Sequence, residues 1–295
     1  MKNFSSDGLV IRLASWLLGL IPPKLGYPAA SLVGKLVASQ KNSYTVRAVY
    51  GNQQVLLEDF SDGTTLDQAV NAVFTNQAYS LYDYFHTFQQ AEIKDQNVII
   101  TPSCSQWIEH CVQHNSPVIF AWPHLSNFDL GGRALIARGV QAQVLTLPSP
   151  KENVQAQNEL RVKTGLEITP ISAHSIKQAI RRLEAGGVIL TSLDWPAAEA
   201  NFQPRFFGRP APLPTLHTRL ALKTGAPVVI LAVTRISSGL YQVDAQGPLP
   251  LNRMPDARQE ILQNTEIILE AAAGIIRKAP RQWAMFHPVW PGTQI

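Results

Sequence analysis

The 295 residues hold 25 lysines and arginines against 21 acidic residues, a formal charge of +4 and a sequence pI near 9.1, with 45% hydrophobic content. That content excludes a disordered chain and is ample for a sizeable core, in one large domain or two small ones. The basic excess is diffuse, with no basic run and no reader motif, which excludes nucleic acid as the partner and suits an acidic membrane surface or a phosphorylated substrate.

Residues 9–21 are apolar apart from Arg12 and Ser15, Pro22-Pro23-Lys24 ends them, and a second apolar stretch covers 25–37. Neither reaches the roughly 18 to 20 uncharged residues that span a bilayer. The first also lacks an A-x-A cleavage site and a clear basic leader, so it does not read as a secretory signal. Two helices lying on a membrane are expected, with Trp16 and Tyr27 at the interface and Lys24 and Lys35 reaching headgroups. Packing onto the rest of the chain is the competing reading. Residues 43–59 turn polar, 66–90 carry a helical pattern with Tyr79, Tyr82 and Tyr84 as core and rim aromatics, and 97–101 read as a strand. A helix is expected over 101–115. It holds Cys104, His110, Cys111 and His114, but zinc sites usually need a turn between ligand pairs, so an amphipathic helix is expected and no metal. Two cysteines make no disulfide framework and fit a reducing compartment.

From residue 116 strands and helices alternate: strands at 116–121, 140–147, 167–171 and 187–193, and helices at 130–138, 152–164 and 174–185. A proline-rich stretch at 203–214 is too irregular for a regular element; a helix at 215–225, a strand at 226–236, an edge strand at 241–251, a long helix at 256–278 and a short aromatic tail follow. Repeated β-α alternation predicts an α/β fold, a single domain whose mainly parallel central sheet is flanked by helices.

The stretch Trp122-Pro123-His124-Leu125-Ser126-Asn127-Phe128-Asp129 has the character of a site, because a histidine between a buried strand and a helix stands at the carboxyl edge of the sheet, where ligands bind in open α/β folds. Ser126 or Asn127 is the expected N-cap. Asp129, five residues on, is expected to accept from one ring nitrogen and fix the tautomer, leaving the other to take a proton from a hydroxyl. An H-x4-D also arises by chance, and a hydrogen-bonded core histidine is the alternative.

The order of motifs resembles the late acyltransferases of lipid A biosynthesis and their relatives that acylate phosphatidylinositol mannosides, within the lysophospholipid acyltransferase superfamily. The resemblance covers most of the chain and rests on Pro123 to Asp129, on Asn158-Glu-Leu-Arg161-Val-Lys-Thr-Gly165, on the glycine-led strand that ends at Asp194, on Phe206-Phe207-Gly208-Arg209, and on Lys223-Thr-Gly-Ala-Pro227. The tail from Gln282 to Trp290 is similar to the family's closing aromatic segment, with Met285 in place of its second aromatic. Two other departures stand out: family members usually carry Gly-Asn-Trp before the acidic residue where this chain has Ser126-Asn127-Phe128, and Gln or Arg after the aspartate where it has Trp195. Ser126 is also similar to the glycerolphosphate acyltransferase signature, but no F-P-E-G-T-R block is present.

The resemblance implies transfer of a fatty acyl chain from a thioester of acyl carrier protein or coenzyme A to a hydroxyl of a glycolipid, at the cytoplasmic face of the plasma membrane, by a peripheral or monotopic protein. Residues 1–40 would be the membrane-associating segment and 41–295 the acyltransferase domain. His124 would be the general base, Arg161 would meet the oxyanion or a phosphate, and Asp194 would orient His124 from its other side or bind the acceptor. Ser126, Asn127, Arg205, Phe206, Phe207, Gly208 and Arg209 are the expected substrate contacts, the last five shaping the mouth of a groove. No G-x-S-x-G is present, so direct transfer without a covalent acyl-enzyme, cofactor or metal is expected. The alternatives are acylation of a lysophospholipid or glycerolphosphate, and a lipid-binding protein that kept the fold without turnover.

Overall fold

In the computed structural model, which describes residues 19–59, 63–88, 97–148, 152–163, 165–196, 202–290 and 292–293, the chain opens with helices α1 (Pro23–Ala38), α2 (Tyr44–Asp59) and α3 (Leu66–Phe88). Then come β1 (Val98–Ile100), α4 (Pro102–His114), β2 (Val118–Trp122), α5 (Phe128–Ile136), β3 (Ala142–Thr146), α6 (Glu152–Lys163), β4 (Glu167–Pro170), α7 (Ala173–Glu184) and β5 (Val188–Ser192). A two-residue hairpin, β6 (Arg205–Phe206) and β7 (Arg209–Pro210), leads to α8 (Leu216–Thr224), β8 (Val228–Ser237), β9 (Leu240–Gln246) and α9 (Ala257–Lys278).

Seven of these strands make one sheet in the order β1-β9-β8-β2-β5-β3-β4, in which β8, β2, β5, β3 and β4 run parallel and β9 and β1 run the other way. Strand β2 lies at its centre, and this explains the unbroken apolar run: Val118, Phe120 and Trp122 join one core, and Ile119 and Ala121 the other. On the first face α5 packs close because Gly131 lacks a side chain; a Cβ there would stand 2.4 Å from the Val233 methyl. Cys104 and Cys111 are buried in this same core, where burial pushes both thiols up to about 12. The opposite face carries α7, α8 and α9 with the tail tryptophans Trp283 and Trp290.

Three expectations need correction. Residues 44–59, polar in sequence, form helix α2: its buried Asn52 donates to the carbonyls of Met285 and His287 and accepts from Val289 N, while Gln53 donates to Pro280 O. Strand β9 is interior, since the three-residue β1 covers its outer side. The stretch taken as irregular contains the β6–β7 hairpin, whose two turn residues, Phe207 and Gly208, both have positive φ (49° and 71°), the backbone that a tight right-twisted hairpin needs.

Residues 9–18, Trp16 among them, lie outside the described residues. Helix α1 turns Gly26, Gly34 and Ala38 towards the body, and a Cβ on Gly34 would meet the α3 backbone at 2.7 Å. Its other side leaves Leu25, Leu32, Val33 and Leu36 more than half exposed, at 65%, 60%, 55% and 57%. Tyr27 points inward, not to an interface: its hydroxyl donates to Asp83 and its ring meets Tyr79 and Tyr82 edge-on. Among the described residues no helix is long and apolar enough to cross a membrane.

Candidate active site

Strands β2 and β5 are parallel neighbours with Trp122 opposite Ser192, and in each the chain places a polar residue two positions beyond that pair. His124 and Asp194 therefore leave the same edge of the sheet side by side. His124 Nδ1 lies 2.7 Å from Asp194 Oδ1, and the His124 backbone N donates to Asp194 Oδ2 at 2.8 Å. A third donor comes from the far end of the chain, the Trp283 indole Nε1 at 2.7 Å from Asp194 Oδ2. The Asp194 side chain is fully buried, while that of His124 keeps 16% of its surface exposed.

The loop around the imidazole is held on both sides. Ala284 N donates to His124 O at 2.8 Å and Ser126 N donates to Gln282 O at 2.7 Å, so residues 282–284 clamp 124–126 from the tail. Asn127 is the N-cap of α5, accepting from Leu130 N, and its amide donates to Ser80 O of α3. Ser126 has a φ of 52°, the left-handed backbone that glycine enters most easily and that makes sense of a glycine here in the related motif. Both residues are buried, at 6% and 5% exposure. Outward from the loop the imidazole lies between aromatic rings: Phe128 edge-on at 5.1 Å and Trp195 tilted at 5.3 Å, with His287 at 4.3 Å on Trp195 and Tyr44 of α2 at 6.0 Å from His287.

Asp129 is not the partner of His124. It sits in the first turn of α5, beyond Phe128, and both its oxygens accept from Arg161 of α6, from Nε at 2.6 Å and Nη2 at 3.1 Å. Arg161 Nη1 also donates to Asn158 Oδ1, and the guanidinium stacks over the Phe128 ring at 5.5 Å. Burial opposes the Arg161 charge, and the Asp129 carboxylate more than restores it, so its pKa lies above the ordinary value. The residues expected at the groove mouth are placed as follows. Phe206 and Phe207 are 1% and 5% exposed and pack against Trp283 and Trp290, Arg209 pairs with Glu58, and Arg205 donates to Gly208 O across the hairpin turn. Large rings on a tight hairpin fill the core beneath Trp283. Sequence reasoning gave Trp283 no role; the density of aromatics in the tail was the available signal.

With Nδ1 donating to a buried carboxylate, Nε2 of His124 carries the lone pair, the tautomer that can accept a proton from a substrate hydroxyl. The fold and site thus define an α/β protein with a carboxylate-held imidazole at the carboxyl edge of two adjacent parallel strands. The chain belongs to the bacterial lipid A biosynthesis acyltransferase family, whose family model matches residues 13–291. It is similar to the phosphatidylinositol mannoside acyltransferases of two Mycobacterium tuberculosis strains, CDC 1551 / Oshkosh and ATCC 25618 / H37Rv. Each is 22% identical over 176 residues, which make up 58% of this chain and 54% of the relative. The chain thus spans about half the length of the curated relatives it matches.

Proposed function

We propose that this protein moves a fatty acyl chain from an acyl carrier protein or coenzyme A thioester to a hydroxyl of a glycolipid, with His124 as general base. The observation that carries the reading is the 2.7 Å contact of His124 Nδ1 with the buried Asp194, in a chain that matches the acyltransferase family along most of its length. As the hydroxyl oxygen attacks the thioester carbon, its proton passes to Nε2 and the carbonyl electrons move to oxygen. The tetrahedral species then collapses, the C–S bond breaks, and the imidazolium returns its proton to the leaving thiolate. Transfer is direct, in a complex of both substrates, and calls for no cofactor.

Asp194 holds the tautomer, and the indole of Trp283 holds Asp194. Asp129 and Arg161 neutralise each other, so in this reading they act as a clamp between α5 and α6 that sets Phe128 beside the imidazole, in place of a free cation for the oxyanion. The exposed apolar side of α1 lies on the cytoplasmic face of the membrane, with residues 1–40 as the associating segment and 41–295 as the acyltransferase domain.

The test is transfer of radiolabelled acyl groups from both thioesters into a lipid extract by wild type and His124→Ala. A loss of roughly 10²- to 10⁴-fold is expected for the variant. Equal transfer by both would eliminate His124 as the base, no transfer by wild type would leave a lipid binder, and product with lysophosphatidate but none with glycolipid would move the acceptor to glycerophospholipids.

A further inference from the structure

Two carboxyl side chains are buried among the described residues, and the acyl-transfer mechanism uses one of them, Asp194. The other, Asp83 of α3, is 4% exposed. Its Oδ1 accepts from the Tyr27 hydroxyl of α1 and its Oδ2 from the Tyr241 hydroxyl of β9, each at 2.5 Å, and Arg235 Nε of β8 lies 3.6 Å from Oδ2. Burial pushes the Asp83 carboxyl above its ordinary value, a shift that the two hydroxyls and the guanidinium oppose. Burial also pushes the Tyr241 hydroxyl well above its own ordinary value, so it stays an O–H donor.

From this carboxylate two routes lead to the His124 loop. In the first, the Tyr241 hydroxyl also meets the side chains of Ser80 and Asn127. Asn127, three residues from His124, caps α5 and donates to Ser80 O at 3.0 Å. In the second, the Gln282 side-chain amide exchanges two hydrogen bonds with the Arg235 backbone: Arg235 N donates to Oε1 at 2.7 Å and Nε2 donates to Arg235 O at 3.0 Å. Gln282 O then accepts from Ser126 N at 2.7 Å, two residues from His124. Asp83, Tyr241, Asn127 and Ser126 are all buried, so water offers no ready substitute for a bond lost here.

We propose that Asp83 is a positioning residue for the general base: it anchors both supports of the His124 loop and, through Tyr27, makes the geometry of that loop depend on the seating of α1. The inference rests on the acyl-transfer reading and adds the part of the fold on which its base depends. Residues 123–127 lie between β2 and α5, with neither a ladder nor a helix to hold them, so the place of the imidazole rests on bonds from outside. A displacement of about 1 Å can cost a reacting group on the order of 10²-fold in rate. Tyr27 is the donor that α1 contributes. A helix α1 lifted from the body takes that hydroxyl with it and leaves a buried oxygen of Asp83 short of a partner.

The experiment compares wild type with Tyr241→Phe, Tyr27→Phe and Asp83→Asn, and with Tyr82→Phe as the control. Tyr82 also holds the approach to α1 on α3, its hydroxyl donating to Ile21 O at 2.6 Å, but among the described residues no hydrogen bond joins it to Asp83. Two quantities are read: steady-state acyl transfer, and the solvent-exchange rate of the His124 Nδ1 proton by NMR on isotope-labelled histidine, the signal being assigned by its loss in His124→Ala. Tyr241→Phe and Asp83→Asn are expected to lower kcat roughly ten- to a hundredfold with KM little changed, and to speed the exchange about tenfold or more. Tyr27→Phe is expected to move both in the same direction by a smaller factor, and Tyr82→Phe to leave both at wild-type values even where its Tm falls. Tyr241→Phe and Tyr27→Phe each remove a single oxygen, so they carry the test should Asp83→Asn fail to fold. Wild-type kcat or a wild-type exchange rate in Tyr241→Phe, a Tyr27→Phe that behaves like wild type, or a Tyr82→Phe that behaves like Tyr27→Phe would each overturn the proposal. Proton exchange needs no turnover, so a failure of the acyl-transfer reading would show as equal transfer by wild type and His124→Ala while the exchange rates keep the expected order.

Discussion

Asp194 accepts hydrogen bonds from two parts of the chain that are far apart in sequence, and on the acyl-transfer reading the working state of His124 depends on both. Replacing Asp194 with asparagine keeps the shape but presents an amide that can donate to Nδ1 and select the wrong tautomer. A fall in kcat of about 10²- to 10⁴-fold is expected. Trp283→Phe keeps most of the buried ring and removes only the N–H. Its expected loss is smaller, roughly ten- to a hundredfold in kcat with KM little changed, matching the 1–3 kcal/mol that one buried charge-assisted bond carries. Steady-state kinetics separate these outcomes, and a purely structural Trp283 would instead lower Tm and leave kcat per folded molecule intact. The residue scale is also where linear reading misled. His124, its loop and the Asn127 cap followed from local spacing, whereas the choice between Asp129 and Asp194 is lateral: it turns on β5 lying beside β2, and strand adjacency leaves no mark in spacing.

Among the elements, the parallel strands and their helices were legible because their cores are apolar on both faces and their ends carry polar punctuation. Helix α2 was not, since its buried side holds Asn52 and Gln53 for the tail carbonyls, and such polar residues dilute the apolar periodicity that announces a helix. Strand β9 read as an edge because three residues of β1 are too few to register as a partner. Helix α1 is the reverse case, more apolar outside than its packing on α3 requires. If that outer side meets lipid, Leu32→Glu/Leu36→Glu should reduce co-sedimentation with anionic vesicles by tenfold or more without lowering Tm, because neither side chain is buried in the fold. Unchanged sedimentation would leave α1 as a helix that only packs on α3.

At the scale of the whole molecule, one buried group ties stability to pH. His217, in the first turn of α8, is fully buried, neither ring nitrogen has a hydrogen-bond partner among the described residues, and burial pushes its pKa from 6.5 down to about 4. The unfolded chain therefore binds a proton that the folded chain refuses. Its contribution to stability is complete above pH 6.5, declines as pH falls, and levels off below about 4, a total of roughly 3 kcal/mol. Urea unfolding from pH 7.5 to 4 is expected to show a shallower decline for His217→Leu than for wild type; identical slopes would remove His217 from the account.

The clamp on the histidine loop is supplied by residues 282–284, which follow all the strands and long helices of the fold in chain order. During translation the imidazole and both parallel strands emerge well before the indole that steadies Asp194. On the acyl-transfer reading, a nascent chain is inert towards thioesters until residues 282–284 have emerged and docked, so competence waits on a segment made after the whole sheet.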